Sequence, residues 1–272
     1  MKSTISIVGV GLIGGSFALA VRKAGFAGRI IGVSSAETIR MALDHGVIDE
    51  ALPLKEAAAQ SNLIYLAQPI ERILTTLDEI DAYVEPGTLI TDAGSTKAAI
   101  VQRASQAIRR GRFVGGHPMA GKQSRGVAHA EPSLFSRRPY VLTSRDAELE
   151  QWIERIGGHL VVMDAAEHDR LVALTSHVPQ LISMALASSI ASQSGAARVA
   201  GPAAIDLTRL AMSPYDIWRD IFETNAGPID TALELFIGKL EEMRKNLRTP
   251  QMRDEFDRAA AGAHALRHVQ VL

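Results

Sequence analysis

Residues 5–24 constrain the fold more than any other stretch of the chain. Ile5, Ile7 and Val8 form a short β-rich run that leads directly into Gly9-x-Gly11-x-x-Gly14. A helical pattern follows through Phe17, Leu19, Ala20, Val21 and Ala24. Strand, glycine turn and helix in this order form a dinucleotide-binding signal, with each glycine meeting a separate demand. Gly9 permits a tight turn, Gly11 lets the backbone approach a pyrophosphate, and Gly14 lets the helix pack close to the sheet. The helix N-terminus then offers free N–H groups and a partial positive charge to phosphate. A purely structural glycine turn is the alternative reading. The run that opens the chain is broken by glycines, so it reads as a strand and not as a signal peptide.

Alternation of strand and helix continues from there. Strands are expected at Ile30–Val33, Asn62–Ala67, Thr88–Thr91, 112–116, 139–143 and 159–163. Helices are expected at 36–45, 70–83, 97–109 and about 146–156. This is the pattern of an α/β fold with a doubly wound parallel sheet. The second strand ends in Ser34 and Ser35, where an NAD-binding chain normally carries an acidic residue for the ribose hydroxyls. Glu37 comes later, in the first turn of the next helix. With no carboxylate to repel a 2′-phosphate and two hydroxyls to bind one, NADP is favoured over NAD. Arg40 either assists or is simply solvated on its helix.

The stretch Phe113–Lys122 carries the most pointed chemistry. Two glycines, Gly115 and Gly116, precede His117, and Pro118 biases the histidine toward extended backbone. With Gly121 allowing a second turn, a stiff loop is expected to present one imidazole at a strand's carboxyl end, where open α/β sheets bind ligands. A glycine-rich turn with an incidental histidine is the alternative. Asp92-Ala93-Gly94-Ser95-Thr96-Lys97 follows another strand, and Ser95 reads as a helix N-cap, a catalytic hydroxyl, or both.

After Asp164 the strand pattern stops. Asp164 and Glu167 resemble a capping box that opens a long helix over about 165–192, apolar on nearly all sides after Leu171. That helix is expected to lie buried between helices or at a subunit interface, and to kink at Pro179. Its His177, Gln180 and serines argue against a membrane span. His177 is either a satisfied core histidine or a ligand. Arg209 lies among apolar neighbours, so it is expected to pair with Asp206 or with a ligand carboxylate. A stripe of Ile229, Leu233, Phe236, Ile237, Leu240, Met243 and Leu247 marks a buried helix face opened by Pro228. A last amphipathic helix is expected over 252–269. Domain 1–163 is thus dinucleotide-binding, and domain 164–272 is helical and dimerising. A formal net charge of −1 gives no electrostatic basis for binding nucleic acid or an acidic membrane. The absence of cysteine excludes disulfides and thiolate chemistry. A cytoplasmic protein is expected.

Taken together, GVGLIGGS at 9–16, DAGSTK at 92–97, GGHPMAGKQSRG at 115–126, TSHVP at 175–179 and DLTRLAMSPYDIWRDIFETN at 206–225 resemble the prephenate/arogenate dehydrogenases of tyrosine biosynthesis, the TyrA family. The resemblance spans nearly the whole chain. It implies a Rossmann-like domain followed by a helical dimerisation domain, with homodimers formed through the latter. It also implies oxidative decarboxylation of prephenate to 4-hydroxyphenylpyruvate and CO2, with hydride passing to NADP or NAD. Arogenate is the alternative substrate. The implied roles are His117 as the base for the ring 4-hydroxyl, Ser95 as its hydrogen-bonding neighbour, Arg209 on a substrate carboxylate and His177 as a second substrate-site histidine. Trp218 matches a tryptophan near the site, or is a packed core aromatic.

Gln123 stands where some members carry a glutamate that pairs with the position of Asp206, and Lys122 beside it adds a positive charge that would attract a dicarboxylate. The expected cofactor contacts are Gly9, Gly11, Leu12, Ile13, Gly14, Ser34, Ser35, Ala67, Gln68 and Gly94, and no metal is expected. No ACT or chorismate mutase domain is expected after the helices, so any tyrosine inhibition would act at or near the active site. A β-hydroxyacid-type dehydrogenase would need a catalytic lysine in the helical half, and residues 164–238 contain none. A non-enzymatic NADP-sensing dimer would not need His117, Ser95 and Arg209 together.

Overall fold

The computed structural model describes residues 3–122 and 124–269. The chain divides between His168 and Asp169 into two compact units. The first begins with β1 (Thr4–Val8), α1 (Leu12–Lys23), β2 (Arg29–Val33), α2 (Ala36–Asp44), β3 (Glu50–Ala51) and α3 (Leu54–Ala59). It continues through β4 (Leu63–Leu66), α4 (Ile70–Ile80), β5 (Leu89–Asp92), α5 (Ala98–Ala107) and β6 (Arg112–Val114). These strands make one parallel sheet in the order β3-β2-β1-β4-β5-β6. β1, β4 and β5 are buried along their whole length, as strands of a parallel sheet covered on both faces are, so the polar Thr4, Ser6, Thr91 and Asp92 lie inside with their apolar neighbours. The strand order reverses between β1 and β4, and the glycine turn leaves β1 at that switch point. Residues 50–59 hold a two-residue edge strand and a helix of six residues, both too short to give a periodic signal.

The sheet does not continue beyond β6. The next strands, β7 (Gly116–Pro118), β8 (Pro139–Leu142) and β9 (His159–Val162), form a separate sheet in which β7 runs antiparallel to β8. Helix α6 (Ala147–Arg155) joins β8 to β9. His117 therefore lies mid-strand, paired with Val141, and not in the loop expected from sequence. Nor do Gly115 and Gly116 adopt left-handed backbone. They are needed for space: a Cβ on Gly116 would stand 2.6 Å from the Asp92 carbonyl oxygen, and one on Gly115 2.8 Å from Thr143 Oγ1. Gly121 shows neither constraint. The two sheets are tied at their centre, where Phe17 stacks flat on Tyr65 with ring centroids 3.9 Å apart. The hydroxyls of Tyr65 on β4 and Tyr140 on β8 are hydrogen-bonded at 3.0 Å.

Helix α7 (Ala165–Val172) contains the boundary between the units. Asp164 opens it as the sequence suggests, its Oδ1 accepting from the amides of Ala166 and Glu167 at 2.9 Å each. Residues Ala173–His177 form a π-turn, and α8 (Val178–Ala191) follows with Pro179 in its first turn. A proline cannot donate to the preceding turn, and the distortion falls immediately before it. Then come α9 (Pro202–Thr208), α10 (Tyr215–Asn246) and α11 (Gln251–Val269). The backbone of Asn225 is non-helical, with φ −130°, so α10 is two helices across a kink three residues before Pro228.

Burial in this unit departs from expectation along α10, while on α8 it leaves open the subunit interface that the sequence allowed. The buried residues of α8 are Val178, Gln180 and Ser183, while Met184 is exposed. On α10, Ile229 is buried, but Ile237 and Leu240 are exposed, as is Leu247 at its C-cap. On α11, Phe256 and Leu266 are also exposed. The expected 229–247 stripe is only partly covered by its own chain: Leu233, Phe236 and Met243 are half-buried.

Candidate active site

The glycine turn meets the geometric demands of a pyrophosphate cradle. Gly9 has φ +96°, and a Cβ there would stand 2.5 Å from the carbonyl oxygen of Ala67. A Cβ on Gly14 would lie 2.1 Å from the Gly9 carbonyl oxygen and 2.8 Å from Ile7, so the helix and strand are in direct backbone contact there. Gly11, by contrast, faces open space, with nothing within 4 Å of its Cβ position. Gly11 is the N-cap of α1 and supplies no side-chain acceptor, and no acidic residue occupies the first turn. Leu12 and Ile13 are the first residues of that helix. Free N–H groups at an open helix N-terminus fit a dinucleotide phosphate. Ala67 and Gln68 close the other side, with Gln68 Oε1 accepting from Thr76 Oγ1 at 2.9 Å.

Of the two serines after β2, only Ser34 is unassigned. Ser35 is the N-cap of α2 and accepts from the Thr38 amide at 3.4 Å. Glu37 lies in the first turn of that helix, and Arg40 pairs with Asp44 at 3.5 Å on its exposed face.

A buried carboxylate organises the other half of this unit's site. Asp92, at the end of β5, is fully buried and forms an ion pair with the equally buried Lys97. Its Oδ2 also accepts from the Gly94 amide at 2.7 Å, and its Oδ1 from the Gly116 amide at 3.1 Å. One carboxylate thus ties the turn that holds Ser95 to the strand that holds His117. A buried charge persists only with such partners. Ser95 does not cap α5, whose N-cap is Lys97. Neither Asp92 nor Lys97 drew attention in the sequence; the signal was an acid and a base five residues apart around Gly94.

His117 is half-buried, and its Nδ1 lies 2.8 Å from Nε2 of His168, a residue the sequence reading passed over. The rings meet edge to face at 5.0 Å. Lys122 is not a free cation: it pairs with Glu131 at 2.5 Å, whose own amide donates to Ser16 Oγ. Gln123 lies outside the described residues.

In the helical unit the structure brings His177, Trp218 and Asn225 together. His177 is fully buried, at the end of the π-turn. Asn225 Nδ2 stands 3.2 Å from His177 Nδ1 and donates to the Asp169 carbonyl at 2.9 Å. The Trp218 ring meets His177 edge-on at 5.9 Å, and its Nε1 donates to Ser213 Oγ. Asn225 was missed as a site residue, although Pro228 pointed to a helix break beside it. Arg209 corrects the sequence reading. It is exposed, opens a three-ten turn, and makes no ion pair with Asp206 among the described residues. The expectation rested on burial by apolar neighbours, but Ile205, Leu207 and Met212 are themselves exposed. A solvated guanidinium needs no internal partner.

A parallel sheet in this order, an open glycine turn at its switch point, and a histidine braced by His168 in the same unit define the class: a dinucleotide-binding α/β dehydrogenase with a helical second unit. Residues 17–166 match the family model described as prephenate dehydrogenase, nucleotide-binding domain. Residues 164–260 match the one described as prephenate dehydrogenase, dimerization domain. The chain belongs to the prephenate dehydrogenase family. It is 34% identical over 254 residues to a prephenate dehydrogenase of Lactococcus lactis, covering 89% of this chain and 69% of that protein. Among solved structures it is similar to prephenate dehydrogenase from Aquifex aeolicus in complex with hydroxyphenyl propionate and NAD+. That likeness has a TM-score of 0.88 at 27% identity, over 98% of each chain. It is also similar to Synechocystis arogenate dehydrogenase, with a TM-score of 0.82 at 30% identity, over 97% of this chain and 99% of that one.

Proposed function

We propose that the protein oxidatively decarboxylates prephenate to 4-hydroxyphenylpyruvate and CO2, as a cytoplasmic homodimer that prefers NADP+ to NAD+. The observation that carries this reading is His117. It is a half-buried imidazole fixed on β7 and coupled through Asp92 to the Ser95 turn, in the same unit as the open Gly11 cradle.

When bound, the nicotinamide supplies the acceptor for hydride. His117 takes the proton of the ring 4-hydroxyl as the C4–H bond gives up its hydride. The ring carboxylate leaves as CO2, its bonding electrons entering the ring, and aromatisation makes the step irreversible. Ser95 hydrogen-bonds near the same hydroxyl. Gly9, Gly11, Leu12, Ile13 and Gly14 would hold the dinucleotide phosphates, with Ala67, Gln68 and Gly94 as further cofactor contacts. Arg209 receives a substrate carboxylate, for which a guanidinium that is exposed and has no ion pair among the described residues is suited. His177 serves as the second substrate-site histidine. The preference for NADP+ is supported by the absence of a carboxylate after Val33 and the exposed hydroxyl of Ser34. The homodimer is supported by the exposed apolar residues of α10 and α11.

Steady-state kinetics over a matrix of prephenate and L-arogenate, each with NAD+ and NADP+, test the reading. Prephenate with NADP+ should give the highest kcat/KM. A higher value with arogenate would move the protein to the arogenate-using branch, and no turnover with any pair would end the proposal. Ser34→Asp should shift the NADP+/NAD+ ratio of kcat/KM toward NAD+; an unchanged ratio removes Ser34 from the 2′-phosphate site.

A further inference from the structure

We infer that His168 is a positioning residue for His117, fixing its tautomer and ring orientation for proton abstraction. The inference rests on the assignment of His117 as the base. An imidazole has two ring nitrogens, and in the neutral form only one bears a lone pair free to accept a proton. His117 Nδ1 and His168 Nε2 lie 2.8 Å apart, a hydrogen-bond distance in which one nitrogen donates and the other accepts. With His117 Nδ1–H donating to His168, the tautomer fixed at His117 is the one whose Nε2 can accept a proton. The opposite tautomer would leave His117 unable to act as a base at Nε2.

The surroundings make this partner hard to replace. His168 is 1% exposed, so bulk water does not stand in for it. It lies in the first turns of α7, held by its amide on the Asp164 carbonyl at 3.0 Å and by the Asp164 cap that opens the helix. On the other side, His117 is held by the β7–β8 ladder and by the Asp92 carboxylate on the preceding amide. Both rings are therefore mounted on rigid elements, as a preorganised base requires. When His117 accepts the substrate proton, its Nδ1–H becomes a charged donor. The bond to His168 then becomes charge-assisted and is stronger after proton transfer than before. The arrangement has the same logic as a base oriented by a third group, with a neutral imidazole in the role that a carboxylate commonly fills.

Two substitutions of similar polarity separate this role from packing. His168→Gln places an amide group near the position of Nε2, and His168→Asn places one near Nδ1, out of reach of His117. The Asn variant should lose about 10–100-fold in kcat, with KM for prephenate and NADP+ within about twofold, and the Gln variant should recover most of that loss. Long-range nitrogen–proton NMR spectra should show His117 protonated at Nδ1 in the wild type and in the Gln variant, with Nε2 protonation emerging in the Asn variant. Wild-type kcat and an unchanged tautomer in the Asn variant would overturn the inference. So would equal losses in both variants accompanied by weakened cofactor binding. His117→Asn is the reference: if it keeps wild-type kcat, the base assignment itself fails, while the NMR tautomer still decides whether His168 sets the ring.

Discussion

Tyr65 and Tyr140 share a hydrogen bond in the dry interior between two sheets, and their hydroxyls are held protonated. Burial pushes both well above the ordinary tyrosine range. Tyr140 and the nearby Asp92 charge push Tyr65 further; for Tyr140 the bond to Tyr65 works against burial and outweighs the smaller upward push of Asp92. In the unfolded chain these groups ionise near pH 10, so their contribution to stability is complete below about pH 10 and declines as pH rises toward the folded-state values. The melting temperature should therefore fall above that pH, and a Tyr65→Phe/Tyr140→Phe double variant should fall less steeply over the same range in calorimetry. Parallel slopes would show that the pair has no part in alkaline unfolding.

Residues of this kind were the least legible in the sequence. Ser95 and His117 stood out because glycines and a proline surround them. Asp92 and Lys97 left only a faint local trace, an acid and a base five residues apart, while His168 and Asn225 act through partners 51 and 56 positions away, a pairing no local pattern encodes.

At the scale of elements, the glycine turn was readable because strand, glycine spacing and helix leave one arrangement, and its two inner glycines make opposite predictions. Gly14→Ala would drive a Cβ into the Gly9 carbonyl, a backbone atom that cannot swing aside. It should cost about 1–3 kcal/mol of stability, the range for overpacking, as read from chemical denaturation. Gly11→Ala meets open space and an extended backbone, so denaturation should be unchanged while the Kd for NADP+, read by fluorescence titration, rises. A destabilised Gly11→Ala, or a stable Gly14→Ala, would contradict this assignment of roles.

The second sheet was not legible. The run 112–116 reads as one strand, yet the chain passes at Gly115 from a parallel sheet to an antiparallel pairing. Apolar runs state that a strand is buried. They do not state which strand lies beside it.

For the whole molecule, the helical unit buries few large apolar side chains of its own, among them Val172, Val178, Ile221 and Ile229. Leu235, Leu240, Leu247, Phe256 and Leu266 are exposed on one chain. Exposed apolar surface of this extent marks an interface, and the family model matched here is named for dimerization. A Leu235→Arg/Leu240→Glu double variant should sediment at the mass of one chain where the wild type sediments at two. A variant that remains dimeric would place the interface on another face. Amphipathic stripes are visible in any sequence, but a stripe cannot say whether it is covered by its own chain or by another copy. That is why the 229–247 stripe of α10 was expected to be buried, and why the sequence left α8 open between burial among helices and a subunit interface.

The inward face of α8 carries Gln180 and Ser183, and its more apolar side looks outward. In the proposed homodimer, a helix turned this way is finished by collision with a second chain. Renaturation then contains a bimolecular step, so its rate rises with protein concentration. Dilution slows recovery even where the nucleotide-binding unit has already formed.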